Sequence, residues 1–188
     1  VIYLKYLLQQ AGFRVAIYGN YQSGLLNALD LLYDWVIIEL SSFQLARLSK
    51  CRVVGGIITN IVSDHIDWHG SLSAYQHAKK RLLDLCEVCI SPGVADLTYD
   101  QEKVEYLVSK GYQAIEAENM AVAMRLLAVL GVTCDLPRKI PSLPYRFTQV
   151  CKQPLIINDS KATNLHATVA ALTGVLNIDS KKVLLILA

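Results

Sequence analysis

Short apolar runs at residues 13–17, 35–38, 53–58 and 155–157, each closed by glycine or a polar group, set the frame of the chain. Runs of this length bounded by turn residues read as buried strands of a parallel sheet. Elsewhere apolar residues return at helical spacing, over 1–11, 24–32, 43–48, 71–85, 101–109, 118–130 and 164–176, and these stretches predict helices. Gly12 and Gly131 stand where helices would stop, and Ser71 or Ser73 is placed to cap the helix at 71–85. Strands alternating with helices predict an α/β fold built on a doubly wound parallel sheet. Between 86 and 118 the pattern offers a turn at Ser91-Pro92-Gly93 and the helix at 101–109, without a clear strand. Pro137, Pro141, Pro144 and Pro154 then break the helical pattern and mark a domain boundary, giving domains at 1–140 and 141–188. Past it, the strand at 155–157, the helix at 164–176 and a strand at 183–187 form the first βαβ part of a further domain.

Two of the strands deliver polar groups. Trp35-Val36-Ile37-Ile38 ends in Glu39 and a Ser41-Ser42 turn, while the run through Ile57-Ile58-Thr59 ends at Asn60 and leads into Asp64-His65. In open α/β sheets ligands gather beyond the carboxyl ends of strands, so Glu39, Asn60, Asp64 and His65 are expected around one crevice. An acid there suits Mg²⁺, which prefers a few hard oxygen ligands together with waters and phosphate; a helix cap or surface acid is the plain alternative. In Asp64-His65-Ile66-Asp67-Trp68-His69, His65 can bind a metal with Asp64 orienting its ring. His65 and His69, four apart, can also hold zinc, which is the pattern of a metal-dependent hydrolase; a solvated loop needs neither. Lys79 follows Tyr75 by four residues and precedes Lys80 and Arg81, which reads either as a solvated basic face or as an amine able to take up CO₂ as a carbamate. Asn158-Asp159-Ser160-Lys161-Ala162-Thr163-Asn164 lies between a strand and a helix N-terminus, where backbone N–H groups favour anions and Lys161 adds charge. Capping by Asp159, Ser160 or Thr163 would explain part of that pattern but not Lys161. Arg146, in Pro144-Tyr145-Arg146-Phe147, can clamp a phosphate or pair with a surface acid.

Composition narrows the class of protein. With 188 residues, 53% hydrophobic and 18% charged, the chain can bury a substantial core, and disorder is not expected. A formal charge of +2, with basic residues scattered, does not point to nucleic acid or an anionic membrane. No apolar run reaches the roughly 18 to 20 residues that span a bilayer, and the cytoplasm is the expected location. Five cysteines in apolar surroundings suit a reducing compartment. Cys86-Glu87-Val88-Cys89 is a lone CxxC, expected to pack in the core rather than to hold zinc or act in redox chemistry.

Taken together, ELSSFQL at 39–45, the SDH and AYQHAKK segments, LPYRF at 143–147 and INDSKATN at 157–164 resemble the Mur ligases, and most of all their D-glutamate-adding branch. The resemblance implies a central ATPase domain followed by the start of a Rossmann-like C-terminal domain, hence a fragment of a three-domain enzyme, expected to be monomeric and inactive alone. It implies ATP-dependent transfer of phosphate to the carboxylate of UDP-N-acetylmuramoyl-L-alanine, then attack by D-glutamate on the acyl phosphate, in peptidoglycan precursor synthesis. By position, Glu39 and His65 match magnesium ligands, and Lys79 matches a carbamylated lysine supporting a second Mg²⁺. Asn20, Ser41, Ser42 and Thr163 fall near the substrate, while Asn119, Arg146, Asp159 and Lys161 fall at ATP; Lys79, His65 and Lys161 carry the catalytic roles. The phosphate loop with its lysine has no counterpart in this sequence. Tyr21-Gln22-Ser23-Gly24 replaces the usual Ile-Gly after Asn20, and of the adenine segment only Asn119 remains, in Glu118-Asn119-Met120-Ala121-Val122. A nucleotide-binding module without ligase activity therefore stands as the alternative, beside the hydrolase.

Overall fold

A computed structural model describes residues 1–20, 32–91, 99–137 and 143–176. The chain divides into two compact units, Val1–Pro141 and Ser142–Ala188.

The first unit opens with helix α1 (Ile2–Gln10), strand β1 (Val15–Gly19) and strand β2 (Trp35–Glu39). β1 and β2 pair in parallel, Val15 beside Trp35 through Gly19 beside Glu39. A short helix α2 (Ser42–Arg47) leads to β3 (Val53–Ile57), then to a single helical turn α3 (Ile66–His69) and to α4 (Leu72–Leu85). Ser71 caps α4, its Oγ accepting the Ala74 N–H at 3.1 Å, as the spacing predicts. The helix expected at 24–32 falls outside the described residues.

α4 runs without a turn into β4 (Cys86–Ile90), a strand that the sequence pattern does not reveal. β4 pairs in parallel with β3, Val53 beside Cys86 and Ile57 beside Ile90. Among the described residues no ladder joins the β1–β2 pair to the β3–β4 pair, so the parallel strands appear as two pairs and not as one continuous doubly wound sheet.

Helices α5 (Gln101–Ser109) and α6 (Ala114–Val129) complete the unit. α5 matches its predicted span. α6 starts a turn earlier than periodicity suggests, because the Glu116 carboxylate accepts the Gln113 N–H at 3.4 Å and closes the helix start there. The Glu118-to-Val122 segment is therefore helical. α6 is apolar nearly all round and lies at the centre of the core: Met120, Val122, Leu126 and Leu127 are buried, and Val122 and Leu126 pack on Ile90 of β4. β3 lies close to this helix because Gly55 has no side chain; a Cβ there would stand 2.9 Å from Leu126 Cδ1 and 3.0 Å from Leu130 Cδ1.

In the second unit, strand β5 (Thr148–Lys152) and strand β6 (Leu155–Asn158) form an antiparallel hairpin, followed by helix α7 (Leu165–Leu176). The proline-marked stretch up to residue 154 is thus not all linker, since β5 occupies part of it. β5 reads Thr-Gln-Val-Cys-Lys, with only Val150 and Cys151 apolar and no alternation, which gives too little signal to predict an edge strand. α7 follows β6 as expected, and the strand expected at 183–187 lies outside the described residues.

Candidate functional site

The carboxyl ends of β1 and β2 bring Asn20 to Glu39. The Asn20 backbone N–H donates to the Glu39 carbonyl at 2.8 Å, and its side-chain amide reaches Glu39 Oε1 at 3.5 Å. Gly19 makes this possible: its φ of 91° is open to glycine, and a Cβ would run into the Glu39 carbonyl.

After Glu39 the chain turns into α2 through a reciprocal cap. Ser41 Oγ accepts the Gln44 N–H at 3.2 Å, and Gln44 Oε1 accepts the Ser41 N–H at 2.8 Å. The next residue, Ser42, is buried, and its Oγ lies 3.0 Å from His69 Nε2. Phe43 stacks on His69 with ring centroids 5.7 Å apart and touches His65 at 4.8 Å and Trp68 at 4.9 Å. Arg81 of α4 donates to the carbonyls of Ala46, at 2.7 Å, and Leu48, holding the carbonyl end of α2 against α4. The residues of ELSSFQL, SDH and AYQHAKK, distant in sequence, therefore form one wall. Ser42 and Arg81 are the members that sequence reasoning undervalued. A serine inside a cap motif and an arginine in a basic run carry no sign of a partner about 30 residues away.

His65 precedes α3 in a left-handed conformation, φ 51° and ψ 34°. That costs energy in a non-glycine residue and is offset here by Asp64, whose Oδ1 accepts the His65 N–H at 2.9 Å. The same oxygen lies 3.6 Å from His65 Nδ1 and biases the ring's orientation. Lys79 reaches back along α4: Nζ donates to the Asn60 carbonyl at 3.3 Å and sits 5.6 Å from the Tyr75 ring centroid. Burial pushes the Lys79 ammonium below its ordinary pKa, and the Asp64 carboxylate partly opposes this.

Among the described residues no group of three or more His, Cys, Asp and Glu gathers to cage a metal. Together with His69's engagement on Ser42 and Phe43, this argues against the closed zinc site that His65 and His69 would have made.

In the second unit the predicted residues meet in a different way. Asp159 Oδ1 accepts the Phe147 N–H at 3.0 Å, and the Lys161 N–H donates to the Tyr145 carbonyl at 3.2 Å. The Arg146 arm is thereby strapped to the 158–164 loop, with Arg146 and Lys161 exposed. The start of α7 is held by Asn164, whose Oδ1 accepts the Ala167 N–H at 2.9 Å; Asp159, Ser160 and Thr163 do not supply that bond. Thr163 lies exposed just before it. Asn119 lies on α6 in the first unit, and its amide donates to the Ile115 carbonyl one turn back at 2.8 Å.

Residues 10–121 match the Mur ligase middle domain. The chain belongs to the Mur ligase family. This Mur ligase chain is 30% identical to the UDP-N-acetylmuramoylalanine–D-glutamate ligase of Aliivibrio fischeri strain MJ11, over 96% of the chain and 49% of that protein. It is 28% identical to the protein of the same name from Legionella pneumophila strain Paris, over 96% of the chain and 51% of the relative. A shorter match, 44% over 81 residues, covers 43% of the chain and 17% of the namesake from Mycobacterium avium strain 104. The chain spans about half the length of the first two. The Aliivibrio alignment, at 217 residues, is longer than the 188-residue chain, so that relative holds positions with no counterpart here.

Proposed function

We propose that the whole protein joins D-glutamate to UDP-N-acetylmuramoyl-L-alanine at the expense of ATP, through an acyl phosphate, in peptidoglycan precursor synthesis. The observation that carries this reading is the similarity to ligases of that name across 96% of the chain. The wall built from ELSSFQL, SDH and AYQHAKK supports it physically.

In this reading residues 1–140 form the central ATP-binding domain and residues 141–188 the start of the C-terminal domain. Glu39 and His65 would hold Mg²⁺, which when bound neutralises phosphate charge and lets anionic reactants approach. Asn20 positions the Glu39 carboxylate and meets the substrate, and Asp64 orients His65. Lys79 is half-buried, and burial lowers its pKa, which favours the neutral amine. That amine attacks CO₂ and, with loss of a proton, becomes a carbamate that supports a second Mg²⁺. The Ser41-Ser42 turn and, separately, Thr163 are assigned to substrate contacts by the family resemblance. By the family resemblance, Arg146 and Lys161 are assigned to the ATP phosphates as exposed cations, with Asp159 fixing the arm that carries Arg146, and Asn119 matches the family's nucleotide segment. Water must be kept from the acyl phosphate until the D-glutamate amine attacks. The enzyme works as a monomer in the cytoplasm on soluble nucleotide-linked substrates.

One observation favours the second reading, a nucleotide-binding module without ligase activity: the Asn119 amide is spent on its own helix. Phosphate release from ATP by the full-length protein separates the two. The ligase requires both UDP-N-acetylmuramoyl-L-alanine and D-glutamate; release indifferent to D-glutamate would overturn that reading.

A further inference from the structure

α2 is six residues long, too short to hold itself in place by its own hydrogen bonds. The reciprocal cap between Ser41 and Gln44 gives its start a shape, but both partners belong to one turn, so the cap does not fix where the helix sits in the wall. Anchors from outside do that. At the carbonyl end the anchor is Arg81 of α4. At the amino end it is His69, whose Nε2 lies 3.0 Å from the Oγ of Ser42, a residue only 5% exposed.

His69 is itself held from several directions. Its backbone N–H donates to the His65 carbonyl at 3.1 Å, and the left-handed Gly70, φ 78°, ends α3 directly after it. The imidazole lies nearly parallel to the Phe43 ring, with 10° between the planes, and stands edge-to-face with Trp68 and Tyr75 at centroid distances of 4.6 and 5.3 Å. Any flat ring would satisfy these aromatic neighbours. Only a ring with a polar nitrogen also meets the hydroxyl, and a hydrocarbon ring would take that bond from a buried polar group. The nitrogen therefore does something that the packing does not require: it ties the end of α3, one helical turn after His65, to the Ser41-Ser42 turn.

Resting on the ligase reading, we infer that His69 is a positioning residue for the muramoyl nucleotide. Through Nε2 and Ser42 Oγ it sets where the Ser41-Ser42 turn stands, and so how that turn meets the substrate. It acts through Ser42 and not on the reacting atoms. The ring face works through Phe43 and the nitrogen through Ser42, so a substitution can remove one and keep the other.

The test uses the full-length protein and reads binding without turnover, by calorimetric titration with UDP-N-acetylmuramoyl-L-alanine in the absence of ATP and, separately, with ATP alone. His69→Phe keeps the stack and loses the nitrogen. Affinity for the muramoyl nucleotide should fall roughly fivefold or more, the scale of one hydrogen bond, while affinity for ATP stays within about twofold. His69→Gln returns a hydrogen-bonding group without the ring and should recover most of the loss. Ser42→Ala should match His69→Phe, and the double variant should be no weaker than either, since both changes remove one bond. Equal weakening of both ligands would reveal general damage and overturn the assignment, as would an unchanged muramoyl affinity in His69→Phe or losses that multiply in the double variant. A wild-type protein that binds no muramoyl nucleotide overturns the ligase reading itself, and the role of His69 with it. Should His69→Phe not fold, Ser42→Ala decides by the same two affinities: a fall for the muramoyl nucleotide alone is expected, and any other result overturns the assignment.

Discussion

The wall around α2 and α4 and the loop between β6 and α7 both present charged groups, but they are built by different means. In the first, side chains do the holding: Ser42 to His69, Phe43 to His65, Trp68 and His69, and Lys79 to the Tyr75 ring and the backbone carbonyl of Asn60. In the second, the backbone does most of the holding, through Lys161 N–H to Tyr145, Ala162 N–H to Asp159 and Thr163 N–H to Lys161, while the cationic heads stay exposed. Packed side chains fix a group in place and shift its pKa; an exposed cation on a shaped loop keeps its charge and its freedom to follow a phosphate. The first region thus suits groups whose position and protonation are fixed by packing, and the second suits groups that must stay free to meet an anion.

Mutations can sharpen or break that contrast. The largest effect is expected at Lys79. In the full-length protein, Lys79→Ala should lower substrate-dependent phosphate release by a factor on the order of 10² to 10³, the scale of losing one preorganised charge-stabilising group. Bicarbonate should not restore Lys79→Arg, and full activity in Lys79→Ala would remove the carbamate role. Next comes Tyr75, 5% exposed and packed on both His69 and Lys79. Tyr75→Ala should destabilise the chain by about 3 kcal/mol or more in a denaturant titration, as for other large-to-small changes in cores. An effect under about 1 kcal/mol would mean that the wall is not held by packing. In the second region Lys161→Ala should leave stability nearly unchanged and raise the KM for ATP about tenfold, the loss of one charge-assisted contact. Equal loss of stability at Lys161 and Tyr75 would erase the distinction. The smallest effect belongs to Ser41→Ala, which removes one side of the α2 cap and should cost about 1 kcal/mol.

How far these regions were readable in the sequence follows from the range of the interactions that build them. β2 ending in Glu39, α4 with its Ser71 cap and α5 are set by local spacing and by residues three or four apart, so the pattern announces them. β4 escaped because Leu85 passes into Cys86 with no glycine, proline or polar break, so nothing in the pattern marks where a strand begins. β5 escaped because an edge strand need not be apolar, and the prolines around it drew attention to a linker. The α7 cap was misplaced by a few residues: Asp, Ser, Thr and Asn all stand in the same loop, and each is a competent cap. In the wall, Glu39, His65 and Lys79 were legible as chemical types. Their partners were less so, apart from Asp64 and Tyr75, which lie one and four residues away.

Residue order alone therefore singled out Glu39, His65 and Lys79 by chemical type, set most strand and helix positions and carried the family resemblance, since composition and short-range spacing suffice for each. Only the folded chain decided that His69 meets Ser42 across 27 positions, that Lys79 meets the Asn60 carbonyl across 19, and that the missing side chain of Gly56 leaves room for Cys86 Sγ. Such meetings depend on how helices cross, which rotamer each side chain takes and where a missing Cβ leaves room. Those quantities are settled by packing in three dimensions, and a one-dimensional period does not encode them.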